Sequence, residues 1–238
     1  YQAAFNYKTE ALQDSRVRKA ISMAIDKNGF TQVLLHGNGT PAVGPFPANL
    51  RFGGDVVKAP QYDLEAAKKL LAEAGYADTN GDGYVEKNGK PLELRWLTYT
   101  SRQELPLLAE AAQASLKNIG IKLLVNATDN YKSFLKRGEY DVYAKAIVTA
   151  PTGDPEYYFT THVLDNSAYN HGFYHNDRME QMAEELRNTF DKDKRAEMAV
   201  RMQQLLLDDS AFFYAAHLKM SFVMKKNVKG FEAHPSDY

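Results

Sequence analysis

Three groups of residues have types and spacing that chemistry can use. The first, Asp78-Thr79-Asn80-Gly81-Asp82-Gly83, matches the opening half of a calcium-binding loop, with oxygen donors at the first, third and fifth places and glycine for the sharp turn. The twelfth place, where a bidentate glutamate should close the site, is Gly89, although Glu86 stands at the ninth. A Gly/Asp-rich turn from helix to strand is therefore the plainer reading, and calcium in the Asp78–Glu86 turn stays open. The second group is His171 and His175, four apart, a spacing that puts two imidazoles on one helical face for zinc. Asn170 precedes them, Gly172 separates them and aromatics surround them, which favours a loop; no Glu follows His171 as a metalloprotease needs. The pair still defines an enzymatic alternative, a metal-dependent hydrolase. His36, His162, His217 and His234 are scattered and read as surface or half-buried residues.

The third group is aromatic and polar. Ala150-Pro151-Thr152-Gly153-Asp154-Pro155-Glu156-Tyr157-Tyr158 is a loop stiffened by two prolines, and Tyr169-Asn170-His171-Gly172-Phe173-Tyr174 is a second, dense in amphipathic rings. In open α/β sheets ligands sit beyond the carboxyl ends of strands, and rigid aromatics with a few polar heads build such surfaces. The same tyrosines would equally serve as packing beneath loops.

Other chemistries find no support. There is no Gly-x-Ser-x-Gly elbow, and the glycines from Gly37 to Gly44 lack the Gly-Lys-Ser/Thr of a phosphate loop. Glu184-Glu185 and Asp208-Asp209 are adjacent pairs on helical sequence, so each pair diverges into solvent. Zero Cys removes thiol catalysis, thiolate zinc sites and disulfides, and suits a secreted or periplasmic protein. With 29 Lys+Arg against 30 Asp+Glu, the chain lacks the basic excess of a nucleic-acid surface. No apolar run approaches the ~20 residues of a membrane span.

The elements that must position these residues follow from periodicity. Asp14 or Ser15 caps a helix whose stripe is Val17, Ala20, Ile21, Ala24 and Ile25; Asp63 caps another that Gly75 ends. Asn88-Gly89 reads as a hairpin turn. Leu92–Leu97 predicts a strand, Gln103–Asn118 a helix, Ile121–Val125 a strand, Tyr131–Arg137 a helix stopped by Gly138, and Tyr140–Val148 a strand. That alternation implies an α/β fold with a largely parallel sheet. Helices near Asp177–Phe190 and Lys194–Leu207 come next, and strands from Ala211 to Met224 close the fold. The 238 residues suit one domain, with no linker dividing them.

The sequence resembles the dipeptide/oligopeptide/nickel family of solute-binding proteins that serve ABC importers. The marks are Asp14-Ser15-Arg16-Val17-Arg18-Lys19-Ala20, Gly44-Pro45-Phe46-Pro47, Tyr62-Asp63-Leu64-Glu65-Ala66-Ala67, Asn118-Ile119-Gly120-Ile121, Gly138-Glu139-Tyr140-Asp141, Asp154-Pro155 and Tyr174-His175-Asn176, in the family's order and reaching almost to Asp237. The resemblance implies a periplasmic binding protein type II-like lobe with a mixed, mostly parallel sheet flanked by helices. Residues 1–238 would be the second of two lobes that close over a ligand, with hinge-proximal segments at about 1–8 and 211–224.

It further implies a non-enzymatic, cofactor-free role at the cell envelope, periplasmic or extracellular. A monomer is expected, whose partners are a peptide or metal-chelate ligand and a membrane permease. Peptide-binding members often carry a Trp and an Asp before the Asp-Pro pair; Val148 and Pro151 stand there here, which removes the usual partner of a peptide amino group. The expected ligand-binding residues are Thr149, Thr152, Asp154, Tyr157, Tyr169, Asn170 and His171, with His171 also the candidate metal contact of a nickel-chelate ligand. A lobe that mainly docks the permease is the remaining alternative.

Overall fold

β1 (Gln2–Phe5) is buried along its whole length, so both of its faces need cover. The computed structural model, which describes residues 1–232, supplies that cover with helices on either side of a mixed sheet. Residues 233–238, with His234 and Asp237, lie outside the described part.

After β1 come α1 (Glu10–Gln13), α2 (Ser15–Ala24) and α3 (Lys27–Gly29), then β2 (Gly39–Pro41) and α4 (Leu64–Glu73). Asp14 caps α2 by accepting from Arg16 N–H, and Asp63 caps α4 by accepting from Ala66 N–H, so both expected caps form. β3 (Glu86–Lys87) and β4 (Lys90–Pro91) make a hairpin around Asn88-Gly89, both at positive φ (53° and 72°) as a primed turn demands. β5 (Glu93–Thr98), α5 (Glu104–Lys117), β6 (Lys122–Ala127), α6 (Tyr131–Arg137) and β7 (Val142–Lys145) follow. Gly138 ends α6 in the left-handed conformation, where a Cβ would be penalised. α7 (Glu156–Tyr158) runs into a wide helical turn at Phe159–Val163; α8 (Asp177–Arg187), α9 (Lys192–Asp208), β8 (Phe212–Tyr214) and β9 (Ala216–Leu218) complete the order.

The main sheet runs β6-β5-β7-β1-β8. β6, β5 and β7 are parallel, joined through α5 and α6. β1 is antiparallel to both β7 and β8, with Gln2 opposite Lys145 on one side and Tyr214 on the other. Half the sheet is thus antiparallel, where periodicity alone implied a largely parallel one: β1 inserts between strands that lie far away in sequence, and no local pattern announces such a pairing. Two expected strands are also shorter. The strand expected at Tyr140–Val148 stops at Lys145, and that at Ala211–Met224 stops at Leu218, beyond which 219–232 lie exposed, with Lys219 N–H still donating to the Asn38 carbonyl (2.9 Å) at the end of the ladder.

Alternation along the strands sorts side chains to two faces. Ala3, Phe5, Trp96, Val142, Ala144 and Phe213 pack on one face against α2 and α5. Ala4, Phe212 and Tyr214 face the other way, toward α7, α8 and α9. Leu97 and Tyr143 meet α6 through Phe134 and Leu135 in a separate small cluster.

Candidate functional site: an aromatic, basic cleft

The second face of the sheet is covered by two separate packs, α6 on one side and α7 to α9 on the other. Between them lies a cleft of about 680 Å³. Tyr143 and Lys145, alternate residues of β7, form its floor; Tyr131, Lys132, Leu135 and Lys136 of α6 make one wall. The opposite wall is Tyr157 and His162 with the segment Ala168–Tyr169 and His171. Tyr99, just past β5, and Ala146–Val148, just past β7, close the end, so the cleft opens where strands β5 and β7 terminate. Ala146 N–H donates to the Tyr99 hydroxyl over 3.0 Å, tying the two strand ends together.

Lys145 is the electrostatic centre. It is 5% exposed; its Nζ donates to the Tyr169 carbonyl (2.9 Å) and lies 3.1 Å from His162 Nδ1. Neither partner is a carboxylate, and among the described residues no Asp or Glu lines the cleft. Burial lowers the Lys145 amine to about 7, because the charged form loses water without gaining an anion. Burial, then the nearby Lys145 and His171, push His162 down to about 3; burial and Lys145 push His171 down to about 4. Both imidazoles are therefore neutral at physiological pH. When the amine is charged it can only donate, so His162 Nδ1 accepts and the ring proton sits on Nε2.

Aromatic rings line the remainder. Tyr99 and Tyr131 lie 4.8 Å apart, and Tyr131 stacks at 15° to Tyr143 with 6.1 Å between centroids. His162 stacks on Tyr169 at 5.4 Å, and His171 meets Tyr143 edge-on at 5.4 Å. Such walls offer flat apolar surface with hydroxyl and imidazole heads, suited to holding an organic ligand.

Of the residues expected from sequence, Tyr157, Tyr169 and His171 line this cleft; Thr149, Thr152, Asp154 and Asn170 lie outside its lining. Thr149 is half-buried and Thr152 exposed. Asp154 accepts from Glu156 N–H (2.9 Å) at the start of α7 and from Arg195 of α9 (2.7 Å). Burial opposes its charge, but those donors prevail and hold the carboxyl below its usual range. Asn170 is buried, donating to the Tyr174 carbonyl (2.8 Å) and accepting from Tyr174 N–H (3.1 Å), which shapes the loop that presents Tyr169 and His171. His175 is exposed, beside Asp165 (3.6 Å) and Asp177 (3.2 Å), away from the cleft. Among the described residues no group of three or more His, Cys, Asp or Glu could hold a metal ion. In the Asp78 turn, Asp78 accepts from Gly81 N–H (2.7 Å) and Gly83 N–H (2.9 Å), and Glu86 from Thr79 N–H (2.9 Å), so these carboxylates shape the turn itself.

Sequence reasoning passed over Lys145, His162 and the α6 wall. One signal was present: in Val142-Tyr143-Ala144-Lys145, the even positions are small and apolar while the odd ones are large and polar-tipped. That alternation marks a strand with two differently used faces.

Comparison with known proteins agrees with this geometry. A sequence profile of the bacterial extracellular solute-binding proteins, family 5 (middle part), matches residues 1–170. The chain belongs to this family. It is 26% identical over 235 residues to the nickel-binding protein NikA of Staphylococcus aureus, covering 97% of this chain and 45% of that one. It is 26% identical to the dipeptide-binding protein of Escherichia coli, covering 98% of this chain and 43% of that one. Its fold superposes on the oligopeptide-binding protein AppA of Bacillus subtilis, solved with a nonapeptide, at a TM-score of 0.83 over 99% of this chain and 48% of that one, with 22% identity. A nickel ABC transporter structure from Bacillus halodurans gives the same score at 26% identity, over 91% of this chain and 45% of that one. The fold is that of a type II periplasmic binding protein lobe. This family 5 chain spans less than half the length of these relatives.

Proposed function

We propose that residues 1–238 form one ligand-capturing lobe of the binding component of an ABC importer, working without catalysis. The observation that carries this reading is the cleft at the ends of β5 and β7, with Tyr143 and Lys145 as its floor and aromatic walls on both sides. Family membership supports it. A small ligand would be enclosed between this cleft and a second lobe, with segments 1–8 and 211–224 as the connections. Contact with both lobes only in the closed form would favour closure. A periplasmic or extracellular monomer that hands its ligand to a membrane permease completes the reading. No helix among the described residues is long and apolar enough to cross a membrane.

The electrostatics favour a ligand that turns an anionic group, such as a carboxylate, toward this lobe. Among the described residues Lys145 stands buried without a counter-charge, and the cleft has no carboxylate to receive an ammonium. A metal already held by a small chelator is the second reading. It is favoured by the neutral imidazoles of His171 and His162 facing one cleft, with His171 as the metal contact.

Titration calorimetry of the intact binding protein, with mixed tripeptides and with nickel(II)–histidine, tests both readings. Tyr169→Ala should weaken whichever binds by about tenfold or more, the scale of a lost aromatic anchor. Unchanged affinity in Tyr169→Ala with impaired transport would refute the capture reading and favour a permease-docking lobe.

A further inference from the structure

Lys145 is a buried amine facing a cleft that, among the described residues, provides no anion. The groups around it come from every neighbouring element. Gln2 of β1 stands opposite it in the ladder and is itself held by the Tyr158 hydroxyl (3.0 Å). His162 and Tyr157 face it from the α7 side, and Tyr169 and His171 from the following loop. Tyr143 shares its strand face, Tyr99 closes the end, and Lys132 and Lys136 stand on the α6 wall. None is an acid, and among the described residues Lys145 forms no ion pair.

The geometry points to a proton-coupled anchor: docking of a ligand's anionic group beside Lys145 draws one proton from solvent onto its Nζ. This inference rests on the capture reading above and goes beyond it, because it specifies how the same site is regulated.

In the empty cleft, charging Lys145 costs desolvation that neither the Tyr169 carbonyl nor the neutral His162 offsets, so the amine titrates at about 7. A ligand carboxylate stabilises only the charged form and so raises that value. The loaded protein then binds more protons than the empty one, and affinity falls as pH rises above about 7. His162 and His171, at about 3 and 4, are neutral throughout that range, and Tyr99 and Tyr143 are pushed upward by burial. None of these four changes charge in the window where the coupling operates.

Two measurements on the intact binding protein decide the matter. Lysine 13Cε NMR of the empty protein, with the Lys145 resonance assigned by its loss in Lys145→Arg, should show a midpoint near neutrality. That midpoint should move up when mixed tripeptides or nickel(II)–histidine saturate the cleft. Calorimetry at pH 8 in phosphate and in Tris, corrected for protons the probe itself exchanges, should show uptake approaching one proton per ligand. Affinity should fall about tenfold per pH unit above neutrality. Lys145→Arg keeps a permanent charge, so it should still bind but without buffer-dependent heat.

An ordinary lysine midpoint, above about 10, in the empty protein overturns the proposal. So does equal heat in both buffers from a probe that binds, and either result leaves the capture reading standing. If neither probe binds, the capture reading falls and the coupling falls with it. Should Lys145→Arg fail to fold, Ala168→Asp serves instead, since Ala168 is exposed on the cleft wall. Its added carboxylate should weaken probe binding and raise the midpoint of the one lysine 13Cε resonance that titrates near neutrality; the lack of such a resonance, or a midpoint that does not move, overturns the proposal.

Discussion

Replacing Asp141 by Asn should loosen the floor of the cleft from below. Asp141 stands immediately before β7, and its side chain, 8% exposed, collects four donors. They are Arg95 N–H (2.7 Å), Arg95 Nε and Nη2 (2.9 Å each) and the Thr9 hydroxyl (2.7 Å). An amide keeps one oxygen and turns an NH2 toward donors that still need an acceptor. The guanidinium is 46% exposed and can return to water, so its share is only about 0–1 kcal/mol. The backbone N–H and the Thr9 hydroxyl lose hydrogen bonds to a charge, at roughly 1.5–3 kcal/mol for such a loss. Together these give about 1.5–4 kcal/mol, which for a chain of this size lowers Tm by roughly 3–16 °C.

Circular-dichroism melting and urea unfolding of both proteins measure it, and a shift below about 1 °C would refute the reasoning. The pH dependence is a second check. Burial opposes the charge of Asp141, but Arg95 and Thr9 outweigh it and hold the carboxyl below its ordinary range. A depressed carboxylate contributes stability in full above its unfolded value of about 3.9 and loses it as pH falls through the folded value. The gap between wild type and Asp141→Asn should therefore narrow on acidification below about pH 4. A gap that persists unchanged at pH 3 would show that charge is not its source.

Asn170→Ala should cost roughly 2 kcal/mol in urea unfolding, through the lost bonds to Tyr174, and weaken ligand binding by displacing Tyr169 and His171. Full stability with lost binding would instead make Asn170 a direct ligand contact. Gly172→Ala would place a Cβ 2.7 Å from the Phe5 carbonyl oxygen, so a stability loss of roughly 1–3 kcal/mol, read as a lower melting temperature, is expected. Tyr158→Phe removes the hydroxyl bonded to Gln2 and Tyr214 and should lower urea stability by about 1–2 kcal/mol without altering the helical circular dichroism. Calorimetry of the 238-residue chain alone against tripeptides and nickel(II)–histidine should show little heat; tight one-to-one binding would contradict the two-lobe reading.

Local signals in the sequence reported local structure well. The Asp14 and Asp63 caps, the Asn88-Gly89 turn and the Gly138 stop were legible because each depends on a few neighbouring residues. The placement of β1 was not, since its partners Lys145 and Tyr214 are distant in the chain and pairing depends on tertiary packing. The site shows the same division. Tyr157, Tyr169 and His171 were visible as aromatic loop residues, whereas Lys145 was hidden inside a strand and His162 inside a helical turn. Thr152 and Asp154 looked like ligand contacts from composition, yet the side chain of Asp154 is engaged by Arg195 from a helix that only the fold brings near.

On the capture reading, β7 has a consequence for how ligand choice can diverge among descendants of this sequence. Val142 and Ala144 anchor the hydrophobic core while Tyr143 and Lys145 line the cleft, so one four-residue ribbon serves both tasks. Inserting or deleting a single residue there would drive an amine into the oil and turn an alanine toward the solute. New preferences must then arise by point exchange at Tyr143 and Lys145 or by lengthening the flanking loops, which leaves the strand itself a fixed ruler against which lineages vary.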